Sequence, residues 1–266
     1  MIKNIIDAIR RRISVRTFDG SPLSQKQKAE LEEFIATAGS PFGGNASIQL
    51  VDADLKGPCR PGTYGVIRGA RNYLLMGIAS DETSMLSAGF IMEQVMLKAT
   101  EMGLGTCWIA ATFKGSDFAR LADMPTDRPL RIISPIGVAA EKRSLLERLT
   151  RSIAHSSSRK PFGDLFFAGD FSTPLPADSQ WAEPLEMMRL APSSTNSQPW
   201  RAIVTDNAIH FYYRPSHYAI LDLGIGLSHF ALTASLRHLT GSWQHLPTAP
   251  PAPSTLRYLI SYTPNN

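Results

Sequence analysis

The feature that most constrains the fold of this chain is an internal repeat that covers most of its length. Three pairs of segments resemble one another, and they occur in the same order in both halves of the 266 residues. The pairs are SPFGGNASIQLVDAD (40–54) with APSSTNSQPWRAIVTDN (191–207), residues 88–108 with 223–243, and PLRIISPIG (129–137) with TLRYLISYT (255–263). Three matches in one order predict that the two halves arose by duplication.

The second pair of segments predicts two buried helices. When the segments are aligned, Gly89 meets Gly224 and Trp108 meets Trp243. Each segment is apolar almost all round, with Gly and Ala scattered through it, and a helix of that kind is buried on every side. We therefore expect two central helices that pack on one another.

Strand patterns alternate with these helices and indicate a mixed α/β arrangement. The predicted strands are apolar and rich in β-branched or aromatic residues, and they cover Ile48–Val51, Tyr73–Ile78, Leu130–Ile136, Ala202–Val204, Ile209–Tyr213 and Arg257–Tyr262. A stretch rich in Ser, Arg and Pro separates the halves and is typical of a connector. We predict a first half at 1–150, a connector at 151–175 and a second half at 176–266, together forming one compact unit.

Composition excludes several classes of protein. The chain is 43% hydrophobic and 19% charged, which is ordinary for a globular protein. We find no uninterrupted apolar run of roughly 18 residues and no signal peptide, so we expect no membrane partner. Two cysteines without a framework fit a reducing cytoplasm. The net charge of +4 is concentrated at Arg10–Arg12 and Arg16, which a small anion explains as well as a duplex would, and we predict no nucleic-acid partner.

The usual signatures of other catalytic sites are missing from the sequence. The six histidines show no HExxH spacing, and no Cys/His set predicts a metal. No Ser-His-Asp arrangement and no phosphate-binding P-loop is visible. The GLG and GIG triplets are too short for a dinucleotide fingerprint, so we expect no Rossmann-type nicotinamide site.

Three motifs together resemble the FMN-dependent nitroreductase family: RISVRTF (12–18), GLGTCWIA (103–110) and PSSTNSQPW (192–200). The chain is similar to the branch of nitroreductases that carries two fused half-site repeats in one polypeptide. This resemblance implies an α+β fold with three α/β/α layers and a pseudo-twofold repeat that mimics the family homodimer.

The departure from the family pattern concerns the number of flavin sites. The arginine motif occurs only in the first half, and the full serine-asparagine motif occurs only in the second. In the family each flavin site combines an arginine motif from one subunit with a serine-asparagine motif from the other. The resemblance therefore implies a monomer that functions as a pseudo-dimer, with one complete FMN site and one degenerate site. Further association of the chain stays open.

The resemblance implies ligands for the FMN phosphate. Arg12, Ser14 and Arg16 alternate, so we expect them to project to one side of an extended segment, and guanidinium groups suit phosphate oxygens. By the same resemblance Arg159 is a further phosphate ligand. The alternative for any one arginine is a solvated basic patch.

The resemblance also implies contacts to the rest of the flavin. Ser193, Ser194 and Asn196 would bond the ribityl chain and the pyrimidine edge, with Pro192 fixing their loop; alternatively, Asn196 only closes a turn. The backbone at Ala110, Ala111 and Thr112 would direct an N–H at flavin N5. Gly137 would lie near the flavin, although a glycine at a strand end explains it equally well, and Trp200 fits the core better than flavin stacking.

The implied activity is that of an FMN oxidoreductase. NAD(P)H would act as a transient electron donor, and a small organic molecule would accept hydride from the same flavin by a ping-pong mechanism. Flavin N5 performs the chemistry, so no catalytic side chain is predicted. The alternative is a flavin-binding storage or sensor protein, or a pseudo-enzyme without nitroreductase turnover.

Overall fold

The chain divides into two compact units, residues 1–155 and 156–266. The computed structural model describes residues 2–53, 62–122, 124–141 and 158–265. The division falls inside the predicted connector, of which residues 151–157 lie outside the described part of the chain. The prediction that both halves form one compact unit stays a prediction.

The first unit has four helices and a four-stranded sheet in its described residues. In chain order these are α1 (Ile5–Arg11), α2 (Gln25–Thr37), β1 (Ala46–Asp52), β2 (Asn72–Ile78), α3 (Glu82–Glu101), β3 (Gly105–Thr106), α4 (Gly115–Ala119) and β4 (Leu130–Gly137). The strand order is β1-β2-β4-β3, and every pair is antiparallel. All seven residues of β2 are buried, which places it at the centre of the unit's core.

Local sequence signals fix where the helices of the first unit begin. Asn4 caps α1 by accepting from the amide of Asp7. Ser24 and Gln27 form a capping box at the start of α2, and Asp81 accepts from the amide of Ser84 at the start of α3. Such caps satisfy amides that have no partner inside the helix.

The second unit repeats this plan with one additional strand. Its elements are β5 (Phe166–Ala168), α5 (Ala182–Arg189), β6 (Trp200–Val204), β7 (Ile209–Tyr213), α6 (Ala219–Leu236), β8 (Gly241–Gln244) and β9 (Arg257–Pro264), with 3-10 turns at Phe162–Asp164 and Ser194–Asn196. The strand order is β5-β6-β7-β9-β8. β5 is parallel to β6, and the other pairs are antiparallel.

The position of β5 corrects the predicted connector at 151–175. Phe166 and Phe167 pair with Ala202 and Ile203, and Phe166 is fully buried. The apolar residues of this segment therefore complete the edge of a sheet instead of forming a linker. The Ser- and Arg-rich composition just before them concealed this strand.

The two units have the same connectivity once β5 is set aside. In each, two antiparallel strands lead into a long central helix, then a short edge strand, then a strand inserted beside the second one. All six predicted strands are confirmed, with β7 at the predicted bounds and the others extended by one to three residues. The shared connectivity supports the duplication, which stays a prediction.

The two predicted buried helices are present, but they begin and end earlier than the repeat suggested. α3 ends at Glu101 and is followed by Gly103 at φ +77°, and α6 ends at Leu236. The tails of the predicted segments form β3 and β8 instead. By length and composition α6 is apolar enough to cross a membrane, and 72% of it is buried inside the protein, as in the core helix of a soluble protein.

The close packing of Gly105 against Val15 gives a test of the first unit. A methyl group at Gly105 would lie 2.7 Å from Val15 Cγ2, while one at Gly115 would meet nothing within 4 Å. Because Val15 is stiff and buried, we expect Gly105→Ala to destabilise the protein by about 1–3 kcal/mol. Gly115→Ala, in α4, is the matched control and should be neutral or slightly stabilising. Urea unfolding of both variants checks this, and equal effects would contradict it.

Candidate functional site

Residues 12–18, here called the arginine segment, run in an extended conformation along the first unit. Ser14 forms a parallel bridge with Thr106, and the amide of Val15 donates to the Thr106 carbonyl at 2.9 Å. The amide of Phe18 donates to the Arg68 carbonyl at 2.9 Å, and Phe18 also bridges Ala139. These bonds place the arginine segment beside the strand that leads to Ala110.

Arg12 is more deeply buried than Ser14 and Arg16. It ends α1, and its side chain is only 5% exposed, with Nε 3.5 Å from Oε1 of the fully buried Glu93. Oε2 of Glu93 accepts from the indole N–H of Trp108 at 2.8 Å. The projection of Arg12, Ser14 and Arg16 to one side stays a prediction, and the charge of Arg12 is neutralised in the interior by Glu93. The role of Arg12 as a phosphate ligand stays a prediction.

Arg16 differs from Arg12 in having no counter-charge among the residues that the structure describes. Its Nη1 is buried and has no hydrogen-bond partner there; Nε and Nη1 of Arg12 also lack a hydrogen bond, but Glu93 supplies Arg12 with a counter-charge. The Arg16 carbonyl is used by the amide of Arg68 at 2.9 Å. A buried guanidinium donor without an acceptor is costly, so this position fits an anionic ligand.

The other predicted flavin contacts of the first unit are Gly137 and the backbone at Ala110–Thr112. Gly137, the last residue of β4, pairs with Gly105, and a Cβ there would lie 3.3 Å from the Phe18 ring. This packing explains the glycine without a ligand. Ala110 to Thr112 follow a bridge between Ile109 and Ile133, and no described residue accepts from their amides. These amides are therefore able to donate to a ligand.

In the second unit the predicted residues lie on residues 192–198, here called the polar loop. Thr195, Asn196 and Gln198 all have positive φ angles, of 51°, 57° and 48°. The left-handed region is uncommon for residues other than glycine and is a clear outlier for a β-branched threonine. Such conformations persist where the surroundings fix them, and they concentrate at functional sites.

Hydrogen bonds within the unit fix the polar loop. The amide of Gln198 donates to Ser193 Oγ at 2.9 Å, and Asn196 Nδ2 donates to the Ser158 carbonyl at 3.0 Å. Arg159 donates to Asn196 Oδ1 at 3.3 Å and to the Leu190 carbonyl at 2.9 Å. Arg159 and Asn196 are thus brought together, and the Asn196 side chain ties the polar loop to Ser158 and Arg159.

Lys160 continues the support of the polar loop. Its Nζ donates to the Ser197 carbonyl at 2.6 Å, and its amide donates to Gln198 Oε1 at 2.8 Å. Burial, with the nearby charges of Arg201 and Arg214, lowers the pKa of Lys160. Trp200 begins β6 and is fully buried, so its predicted place in the core is confirmed.

Asp222, which was not among the predicted site residues, lies in the first turn of α6 and is 2% exposed. Its Oδ1 accepts from the amide of Ser194 at 2.9 Å, and Oδ2 lies 3.5 Å from Ser197 Oγ. Burial raises the pKa of Asp222 to about 7, although these two donors pull the pKa down. A signal was available, because Asp222 is the one charged residue in the apolar run of α6.

A family model and one solved structure match residues of both units. A family model described as "Putative TM nitroreductase" matches residues 4–234. A solved structure from Thermotoga maritima, titled a putative nitroreductase, is 21% identical, covers 99% of this chain and 94% of its own, and has a TM-score of 0.64. This likeness shows that the fold is shared.

Solved structures that match about half of the chain are more distant. An FMN-dependent nitroreductase from Clostridium difficile is 20% identical over 52% of this chain and 90% of its own, with a TM-score of 0.42. A nitroreductase with bound FMN from Bacteroides fragilis is 17% identical over 54% of this chain and 92% of its own, also at 0.42. No curated protein matches the chain.

The raised pKa of Asp222 gives a test by pH. Since the folded pKa of about 7 exceeds the ordinary value of 3.8, the folded protein binds this proton more tightly than the unfolded chain does. The contribution of Asp222 to stability is therefore complete below the ordinary pKa and is lost as pH rises through about 7.

Asp222→Asn supplies the reference, because its amide copies the neutral carboxyl group. We expect the unfolding free energy of the wild type, minus that of the variant, to fall by about 1–3 kcal/mol from about pH 5 to about pH 8. Urea unfolding of both proteins across this range measures the difference. A difference that does not change with pH would contradict the assignment.

Proposed function

Because the chain belongs to the family described as "Putative TM nitroreductase", which consists of oxidoreductases, we propose that it is an FMN-dependent oxidoreductase that uses NAD(P)H to reduce a small organic acceptor. The observation that carries the proposal is the buried Nη1 of Arg16, which lacks an acceptor in the described part of the chain. A dianionic phosphate supplies the acceptors that such a donor needs.

Several residues of the first unit fit FMN. Arg16 and Ser14 would hold the phosphate, and the amides at Ala110–Thr112 would face the ring. Arg12 contributes less, because Glu93 already neutralises its charge.

The second unit offers the polar loop. Ser193, Ser194 and Asn196 supply hydroxyl and amide groups suited to a ribityl chain and a pyrimidine edge, and Pro192 precedes them. Arg159 donates hydrogen bonds to Asn196 Oδ1 and the Leu190 carbonyl and so stabilises this loop. We propose that the chain binds one FMN and works as a monomeric pseudo-dimer in the cytoplasm.

FMN, when bound, supplies a ring that takes hydride at N5 from NAD(P)H and passes it to the acceptor in ping-pong order. The residues of the protein bind and orient this group. Amide donors near the ring would favour negative charge that develops there. No side-chain acid or base is assigned.

We expect one FMN per chain, because each motif occurs once. Flavin absorbance measured against protein concentration gives the ratio, and a value near two would contradict the fused pseudo-dimer. Anaerobic addition of NADH or NADPH should bleach the bound flavin. A protein that binds FMN but is not reduced by either nucleotide would instead be a storage or sensor protein.

Arg16→Ala tests the phosphate assignment. We expect this variant to weaken FMN more than tenfold while riboflavin binding changes little, since a charge-assisted hydrogen bond contributes about 1.5–3 kcal/mol. Arg11→Ala is the matched control, because Arg11 lies on α1 and pairs with Asp7 at the surface. Fluorescence titration with both flavins measures the dissociation constants, and equal losses for FMN and riboflavin would show a misplaced arginine.

A further inference from the structure

The central helices of the two units carry a polar side chain at equivalent positions. The alignment that places Gly89 on Gly224 also places Ser87 on Asp222. Both side chains lie in the first two turns of their helix and are almost fully buried, at 1% and 2% exposure. A buried carboxylate is expensive in free energy and needs a specific reason to be kept.

Both side chains bind the loop that precedes the first strand of the repeated plan. The alignment that places Asn45 on Asn196 places Gly43 on Ser194. In the second unit the amide of Ser194 donates to Asp222 Oδ1 at 2.9 Å. In the first unit the Ser87 hydroxyl donates to the Gly43 carbonyl. The same two positions are joined in both units, with donor and acceptor exchanged.

The loop at Gly43–Gly44 and the polar loop differ in backbone strain, and so in how much they need hydrogen bonds to hold them. In the first unit Gly43 and Gly44 take the left-handed region, at φ +77° and +79°, where glycine is not strained. In the second unit the position of Gly44 is occupied by Thr195, at φ 51°. A β-branched residue there is strained, so the polar loop requires bonds that hold it in place.

The bonds of Asp222 lie on either side of Thr195 and Asn196, two of the three residues of the polar loop with positive φ. One goes to the amide of Ser194, just before Thr195, and the other to the hydroxyl of Ser197, just after Asn196. The first uses the main chain of Ser194 and so does not involve its hydroxyl group. A serine at position 222 would be too short to reach both sites, and it would supply one oxygen atom in place of the two carboxylate oxygens.

We propose that Asp222 is a positioning residue that holds the polar loop in the shape required for flavin binding, by accepting a hydrogen bond from the amide of Ser194. This inference rests on the proposed function. At the equivalent position of the first unit the Ser87 hydroxyl instead donates to the Gly43 carbonyl. A Cβ at Gly44 would lie 2.7 Å from the Ser84 amide nitrogen, so the loop at Gly43–Gly44 already packs against α3.

Three variants of the full chain test the proposal. Asp222→Ser introduces the residue of the first unit, Asp222→Asn keeps an acceptor oxygen, and Ser87→Ala removes the equivalent bond in the first unit. Two readouts are used: the dissociation constants of FMN and riboflavin, and amide hydrogen exchange at Ser194 in protein without added flavin.

We expect Asp222→Ser to weaken FMN and riboflavin by the same factor, about tenfold or more, because the polar loop would contact the ring and ribityl chain rather than the phosphate. Exchange at Ser194 should accelerate by a similar factor, while amides of β7 keep their protection. Asp222→Asn should stay within about threefold of the wild type in both readouts, since it still accepts from the amide. Ser87→Ala should leave flavin affinity unchanged.

Each contrary result has a distinct meaning. A wild-type protein that binds neither flavin overturns the proposed function, and the exchange rates then still decide whether Asp222 holds the loop. If the wild type binds FMN and Asp222→Ser binds it equally well, the inference fails while the proposed function stands. Loss of binding in Asp222→Asn, or an equal loss in Ser87→Ala, also overturns it. If Asp222→Ser does not fold, rapid exchange of the Ser194 amide in the folded wild type overturns it.

Discussion

A helix that is apolar all round must be covered on every side, and this requirement governs each unit of the protein. α3 and α6 are buried along most of their length. Water is not available to their buried polar side chains, so a partner in the protein is favoured; Glu93, Asp222 and His229 have one, whereas Ser228 Oγ has none among the described residues. The polar groups of the central helices therefore become fixed points to which other segments are attached.

In each unit, residues of the candidate site bind one of these buried polar side chains. Glu93 on α3 binds Arg12 and Trp108, which connects the arginine segment to the residues before Ala110. Asp222 on α6 binds the polar loop at Ser194. His229, also on α6, has Nδ1 2.9 Å from the Met187 carbonyl and so binds α5. The two irregular segments that we propose to bind flavin are thus each bonded to a buried helix of their own unit.

The two units share their connectivity, but the loops before β1 and β6 differ in conformation. Small differences at equivalent positions decide which hydrogen bonds and contacts hold each loop. Glycines relieve strain in the first loop, which packs against its helix. In the second loop, residues with hydroxyl and amide side chains have strained backbone conformations. Hydrogen bonds from Arg159 and Lys160 and to Asp222 hold this loop in place. Strain of this kind supports a ligand-binding role for the second loop.

The sequence by itself determined a mixture of helices and strands, the six main strands, the two buried helices and the positions of the three motifs, because these follow from local hydrophobic periodicity and from turn residues. It did not determine that residues 166–168 form a strand, since three residues pair only where a neighbouring sheet edge exists. It also could not separate Arg12 from Arg16, which share a motif. Only the tertiary structure places Glu93 against Arg12 and leaves Arg16 Nη1 without a hydrogen-bond partner among the described residues. Burial and long-range pairing depend on residues distant in the chain, and no local pattern records them.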